Sequence, residues 1–150
     1  GNVPMVNYQV YQDPSGIKEF AKMVDNFIKL KPYRKFVDEE YVTKGLPMQR
    51  PLFLSYESDP VTYALQYQYL FGSDVMVAPV TDEGKTQISV YLPEDQWVHM
   101  FSGEEYNGPQ WVTLDCPLGV PTVFYRKSSQ FAQLFKELQT SRHCDAESCP

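Results

Sequence analysis

The chain is poor in the residues that hold metals or staple small folds. Its 150 residues include only 3 Cys, 2 His and 2 Trp. His99 and His143 sit in neither a C-x-x-C nor an H-x-x-x-H frame, so no zinc spacing exists and no metal is expected. Three cysteines cannot build a disulfide framework. Cys144 and Cys149 are spaced to close one small loop, which tilts the expected compartment toward a secreted or extracellular one. Ordinary free thiols are the alternative, and Cys116 is left over either way. No apolar run approaches the roughly 20 residues of a membrane span. The chain opens on Gly1 rather than Met, so the absence of a leader excludes nothing. No Asn-x-Ser/Thr sequon occurs, and a secreted location gains no support there. Basic residues are outnumbered, 13 against 19 acidic ones, for a net charge of −6. No basic cluster exceeds Arg126-Lys127, so nucleic acid and anionic membrane are excluded as expected partners. Neither a G-x-S-x-G elbow nor a G-x-x-x-x-G-K phosphate loop is present, and no cofactor is implied.

What is present suits a packed core. Hydrophobic residues make up 43% and charged residues 21%. Aromatics reach 15%, with 11 Tyr and 9 Phe, a content that fits sheet packing and sugar-binding surfaces equally.

Along the chain two textures follow one another. A helix is expected from Ser15, with Ile17, Phe20, Ala21, Val24, Phe27 and Ile28 forming one apolar stripe. Pro32 should kink or divide it, and Tyr33, Phe36, Val37 and Tyr41 continue a stripe until Gly45 stops it. Leu52–Tyr56 reads as a strand buried on both faces, of the parallel-sheet kind, and its neighbours are expected outside this chain. Asp59 caps a short helix opened by Pro60. After Gly72, short strands are expected at Asp74–Val80, Gln87–Leu92, Gln96–Phe101, Gln110–Asp115 and Thr122–Arg126. Turn clusters at intervals of about ten residues separate them, the signature of an antiparallel sandwich. An amphipathic helix, Ser129–Gln139, closes this unit, and 140–150 is expected to be a flexible tail.

The motifs occur in an order that resembles glycoside hydrolase family 31, the retaining α-glycosidases. Gly45-Leu-Pro-Met-Gln-Arg-Pro-Leu-Phe-Leu54 is similar to the family's last barrel strand. Gln66-Tyr-Gln-Tyr-Leu-Phe-Gly-Ser-Asp-Val-Met-Val-Ala-Pro-Val80 resembles the junction that follows. Val90-Tyr-Leu-Pro93, Trp97 with Ser102-Gly103-Glu104, and Pro117-Leu-Gly119 with Pro121-Thr-Val-Phe-Tyr125 resemble its subsequent strands. Leu30-Lys-Pro-Tyr33 and the wording of Gln66–Gly72 and Trp97–Glu104 most resemble the sulfoquinovosidase branch, which hydrolyses α-glycosides of 6-sulfo-quinovose. The resemblance implies an α/β plus all-β chain. Residues 1–72 would be the C-terminal segment of a (β/α)8 barrel, with its last strand and flanking helices. Residues 73–139 would be a small β-sandwich with its closing helix.

Retaining glycosidases need two carboxyl groups roughly 5–5.5 Å apart. No carboxylate here stands in such a setting: Asp38-Glu39-Glu40 reads as an exposed helix face and Glu104-Glu105 as a hairpin turn. The resemblance places both catalytic aspartates and the active-site histidine N-terminal to the matched region, so no catalytic residue is assigned. Asn2, Asn7, Tyr8, Gln9, Tyr11 and Glu57 are candidate substrate contacts at the barrel rim, with plain loop roles the alternative. Trp97 and Trp111 read as sandwich core or hairpin residues before sugar platforms. The expected partners are a larger N-terminal portion of the same glycosidase and a carbohydrate. The competing expectation is a non-catalytic structural or carbohydrate-binding component on the same fold.

Overall fold

The computed structural model describes Gln12, residues 14–117 and residues 120–140. Helix α1 spans Pro14–Lys29 and α2 spans Lys31–Lys44. The break between them comes where Pro32 was expected to divide the helix: it occupies the first turn of α2, where a missing N–H costs nothing. At the other end Gly45 adopts φ 68° and its N–H donates to the carbonyl of Tyr41, ending α2 as expected.

The strands are β1 Gln49–Pro51, β2 Tyr69–Phe71, β3 Val75–Val77, β4 Gln87–Leu92, β5 Gln96–His99, β6 Glu105–Asn107, β7 Gln110–Asp115 and β8 Val123–Arg126. Helix α3, Ala132–Thr140, follows them. Six strands form one sheet in the order β1-β2-β3-β8-β5-β6, and β4 and β7 form a second. Every pairing in both sheets is antiparallel.

The larger sheet is the middle of three layers. Met76, Trp97 and Phe124 point to one face, where they pack with Leu52, Leu70, Val90, Leu92 and Val112 under the β4–β7 ribbon. Val75, Val98 and Tyr125 point to the other face, where Tyr33 and Val37 of α2 and Phe135 and Leu138 of α3 cover them. Alternation along a strand sends neighbours to opposite faces, so a sheet covered on both sides needs apolar residues at successive positions. That explains why Val75-Met-Val-Ala78 is continuously apolar.

The structure corrects the expectation at Leu52–Tyr56. Leu52–Leu54 is a 3-10 turn, not a strand. The strand β1 lies just before it and pairs antiparallel with β2, within this chain. Proline at 51 has no N–H to extend the ladder, and the Tyr56 N–H turns back to the carbonyl of Leu52. Strands β2 and β6 were also missed, since three residues are too few to show a period. The short helix at Pro60–Tyr63 is a 3-10 helix capped as expected by Asp59, whose carboxylate accepts from the Val61 N–H at 3.0 Å.

Helix α1 stands apart. Ile17, Phe20, Val24, Phe27 and Ile28, five residues of its apolar stripe, are 40–61% exposed. An apolar groove of about 300 Å³, lined by Met23, Phe27, Leu30, Tyr33, Phe71 and Val75 among others, lies between α1 and the sheet.

The turn between β2 and β3 is held from below. The Tyr33 hydroxyl donates to the carbonyl of Phe71 at 2.6 Å and accepts from the Asp74 N–H at 3.0 Å. Gly72 has φ 65°, and a Cβ there would stand 2.5 Å from the Tyr33 oxygen and closer still to Val37. Gly72→Ala is therefore expected to destabilise the chain by more than about 2 kcal/mol, from backbone strain and overpacking together. The shift of the urea midpoint measures it, and an unchanged midpoint would refute the account.

Candidate functional site

The only sequence-selected contact residue that the structure describes is Glu57, and the turn that carries it is tightly specified. Asp59 N–H donates to the carbonyl of Tyr56 at 3.0 Å, closing the turn. Thr62 Oγ1 donates to the carbonyl of Asp59 at 2.7 Å. The Tyr63 hydroxyl donates to the carbonyl of Glu57 at 3.0 Å, while its ring stacks on Phe53 at 5.1 Å. Glu57 itself is exposed.

Both flanks of the turn are tied to the sandwich. Arg126 Nη2, at the end of β8, donates to the Tyr56 hydroxyl at 2.8 Å. The same guanidinium pairs through Nε with Asp95 at 3.1 Å and lies 5.9 Å from the Trp97 ring centroid. On the other flank, the Tyr91 hydroxyl of β4 donates to Asp59 Oδ2 at 2.6 Å. Burial pushes the Tyr56 phenol up to about 12, with the Arg126 charge working against it. Burial, reinforced by Asp59, likewise raises Tyr91 to about 12. Both phenols therefore keep their protons across the physiological range. Arg126, Tyr56 and Tyr91 were not singled out in the sequence. Only the Asp59 cap signal pointed here, and nothing local marks a partner 70 residues away.

A buried ion pair fixes the approach to this turn. Arg50 Nη2 in β1 donates to Glu40 Oε2 at 2.8 Å, and Arg50 Nε donates to the carbonyl of Pro47 at 2.7 Å. Glu40 also pairs with Lys44 at 3.0 Å. The expectation of an exposed Asp38-Glu39-Glu40 face is thus wrong at Glu40, which is 6% exposed. Burial alone would raise the Glu40 carboxyl, but its hydrogen bonds to Arg50 and Lys44 reverse that and hold it below its ordinary range.

Asn2, Asn7, Tyr8, Gln9 and Tyr11 lie outside the described residues, as do Cys144 and Cys149. Cys116 is a buried free thiol. Trp97 is fully buried in the core, whereas Trp111 is 56% exposed beside Tyr91, which corrects the core reading for Trp111. Among the described residues no group of three or more His, Cys, Asp or Glu is placed to hold a metal ion, and no helix is long and apolar enough to cross a membrane.

Residues 45–129 match the model of the glycosyl hydrolase family 31 C-terminal domain. A sulfoquinovosidase of Agrobacterium fabrum is 47% identical over 93% of the chain, and one of Escherichia coli is 48% identical over the same share. The chain spans only 21% and 20% of those two proteins. Among solved structures, a family 31 sulfoquinovosidase from E. rectale, in complex with an aza-sugar inhibitor, superposes with TM-score 0.89 at 46% identity. That match covers 93% of this chain and 21% of the other. An α-xylosidase from a soil metagenome, complexed with xylose, superposes with TM-score 0.82 at 27% identity over 87% of this chain and 20% of the other.

The Glu40–Arg50 pair makes a pH prediction. Because the folded carboxyl titrates below its ordinary 4.5, the unfolded chain binds the extra proton as pH falls. The pair's contribution is complete above the ordinary carboxyl range and vanishes as pH drops through the lowered folded value. Glu40→Gln leaves Arg50 buried and unpaired, costing about 3 kcal/mol near neutrality. The gap in melting temperature between parent and variant should narrow from about pH 7 to about pH 3. A gap of constant size would show that the pair is not ionic.

Proposed function

The chain belongs to glycosyl hydrolase family 31, and on that premise we propose that it is the C-terminal portion of a retaining α-glycosidase of sulfoquinovosidase type. The catalytic carboxylates sit on an N-terminal portion that docks against it. The acid protonates the glycosidic oxygen, the nucleophile forms a glycosyl-enzyme, and water releases the sugar with retention. The substrate reading draws on the two relatives named sulfoquinovosidase, which are 47% and 48% identical to this chain.

The observation that carries the proposal is the half-exposed apolar face of α1. Fully burying an apolar side chain is worth about 1.5–3 kcal/mol, so five left about half exposed forfeit several kcal/mol, a large share of a domain's marginal stability. A span of a fifth of its relatives' length, together with such a helix on the surface, supports the reading of a part that a larger portion completes. The barrel end proposed for residues 1–72 then rests on α1, because β1 and β2 are engaged in the sandwich's own sheet. Glu57, with Asn2, Tyr8, Gln9 and Tyr11, is proposed to lie at the rim of the substrate pocket.

Intact-mass measurement of the protein purified from its source, under native and reducing conditions, tests the assembly. The expected result is a covalently continuous or co-purifying polypeptide several times this size that turns over a chromogenic α-sulfoquinovoside. A large partner without turnover would favour a non-catalytic component. The 150 residues alone are expected to be inactive and to bind the apolar dye ANS, with Phe20→Ser and Ile28→Ser together removing most of that binding. Glycoside turnover by the isolated chain would overturn the proposal.

A further inference from the structure

The turn at Tyr56–Asp59 combines two features that pull apart on an ordinary surface. Its backbone is over-determined, with the carbonyls of Tyr56, Glu57 and Asp59 all accepting hydrogen bonds from within the chain. Yet the Glu57 side chain at its tip is exposed, and no described residue makes a hydrogen bond or ion pair to its carboxylate. The anchors on either side come from far away in sequence, Arg126 on β8 and Tyr91 on β4, and both belong to the sandwich. Arg126 is itself oriented by Asp95 and by the faces of Tyr56 and Trp97, with its Cζ 5.4 Å from the Tyr56 ring centroid.

Resting on the glycosidase reading above, we propose that Arg126 and Tyr91 are positioning residues that hold the Tyr56–Asp59 turn so that the Glu57 carboxylate accepts hydrogen bonds from substrate hydroxyls. An ionised carboxylate offers two acceptor oxygens, and its bonds to hydroxyls are stronger than neutral ones. Its charge also directs it to the hydroxyl-bearing side of a sulfonated sugar, since two anions repel. A carboxylate on a mobile loop would lose this advantage in ordering entropy. Clamping the turn on both flanks removes that cost before substrate arrives. The sandwich thereby sets substrate affinity without touching substrate.

A double-mutant cycle in the assembled glycosidase, with para-nitrophenyl α-sulfoquinovoside as the probe, tests this. Glu57→Gln should raise KM with kcat little changed. Arg126→Met should raise KM about fivefold with kcat within about twofold, the size expected for one misplaced hydrogen bond. Arg126→Lys should recover part of that loss. In the Glu57→Gln background, Arg126→Met should add almost nothing, because the group it positions is already gone. If Arg126→Met raises KM by the same factor in both backgrounds, Arg126 only supports the fold and the proposal fails. Should that variant not fold, Tyr91→Phe, which removes one oxygen, replaces it in the same cycle with the same two outcomes. A Glu57→Gln enzyme with unaltered KM overturns the placement of Glu57 at the substrate while leaving the glycosidase reading standing. An inactive parent assembly defeats the glycosidase reading itself, and this proposal with it.

Discussion

A sheet that is apolar on both faces has to be covered on both, and the architecture follows from that requirement. Strands β3, β8 and β5 carry the apolar side chains to both sides of one layer. The β4–β7 ribbon supplies one cover. Helices α2 and α3 supply the other, with Tyr33 making edge-on ring contacts to Phe71, Phe131 and Phe135 at 5.1–5.8 Å. Each cover alone would leave the opposite face wet, so ribbon, sheet and helices form one cooperative body. Helix α1 is the element left outside this arrangement.

Polar groups then fix what the apolar packing leaves free. The core decides that β1 joins the sheet edge, but the Glu40–Arg50 pair ties that edge strand to α2. Gln68 does comparable work on the other face: its side chain donates to the carbonyl of Tyr91 at 2.8 Å and accepts from the Tyr91 N–H at 2.9 Å, imitating a strand where none runs. That pair of hydrogen bonds holds β4 in place and, through the Tyr91 hydroxyl, the turn that bears Glu57.

Much of this was legible in the sequence because it is local or periodic. The Asp59-Pro60 start, the Gly45 stop and the six-residue strands β4 and β7 are specified by residues within one turn or one pleat of each other. The family could be read from ordered motifs spread over most of the chain. Leu52–Leu54 misled because three adjacent apolar residues fit a two-faced strand and a 3-10 turn equally, and only the pairing of β1 with β2 decides between them. Glu40 misled for a related reason: an acidic run on a helix looks solvated until Arg50 arrives from the next element. At the candidate site, Glu57 was selected because the family resemblance puts the end of Leu52–Tyr56 at the barrel's rim. Its clamp was not, since Arg126 and Tyr91 lie 70 and 32 positions from the groups they hold.

The phenol of Tyr33 has a wider consequence. One oxygen donates a hydrogen bond to the carbonyl of Phe71 and accepts one from the Asp74 N–H, while the space that oxygen needs exists only because residue 72 has no side chain. Helix and hairpin are keyed like the ward and bit of a lock. Evolutionary drift at any one of Tyr33, Val37 or Gly72 would be tolerated only with matching change at the others, so these positions should vary among relatives as a block.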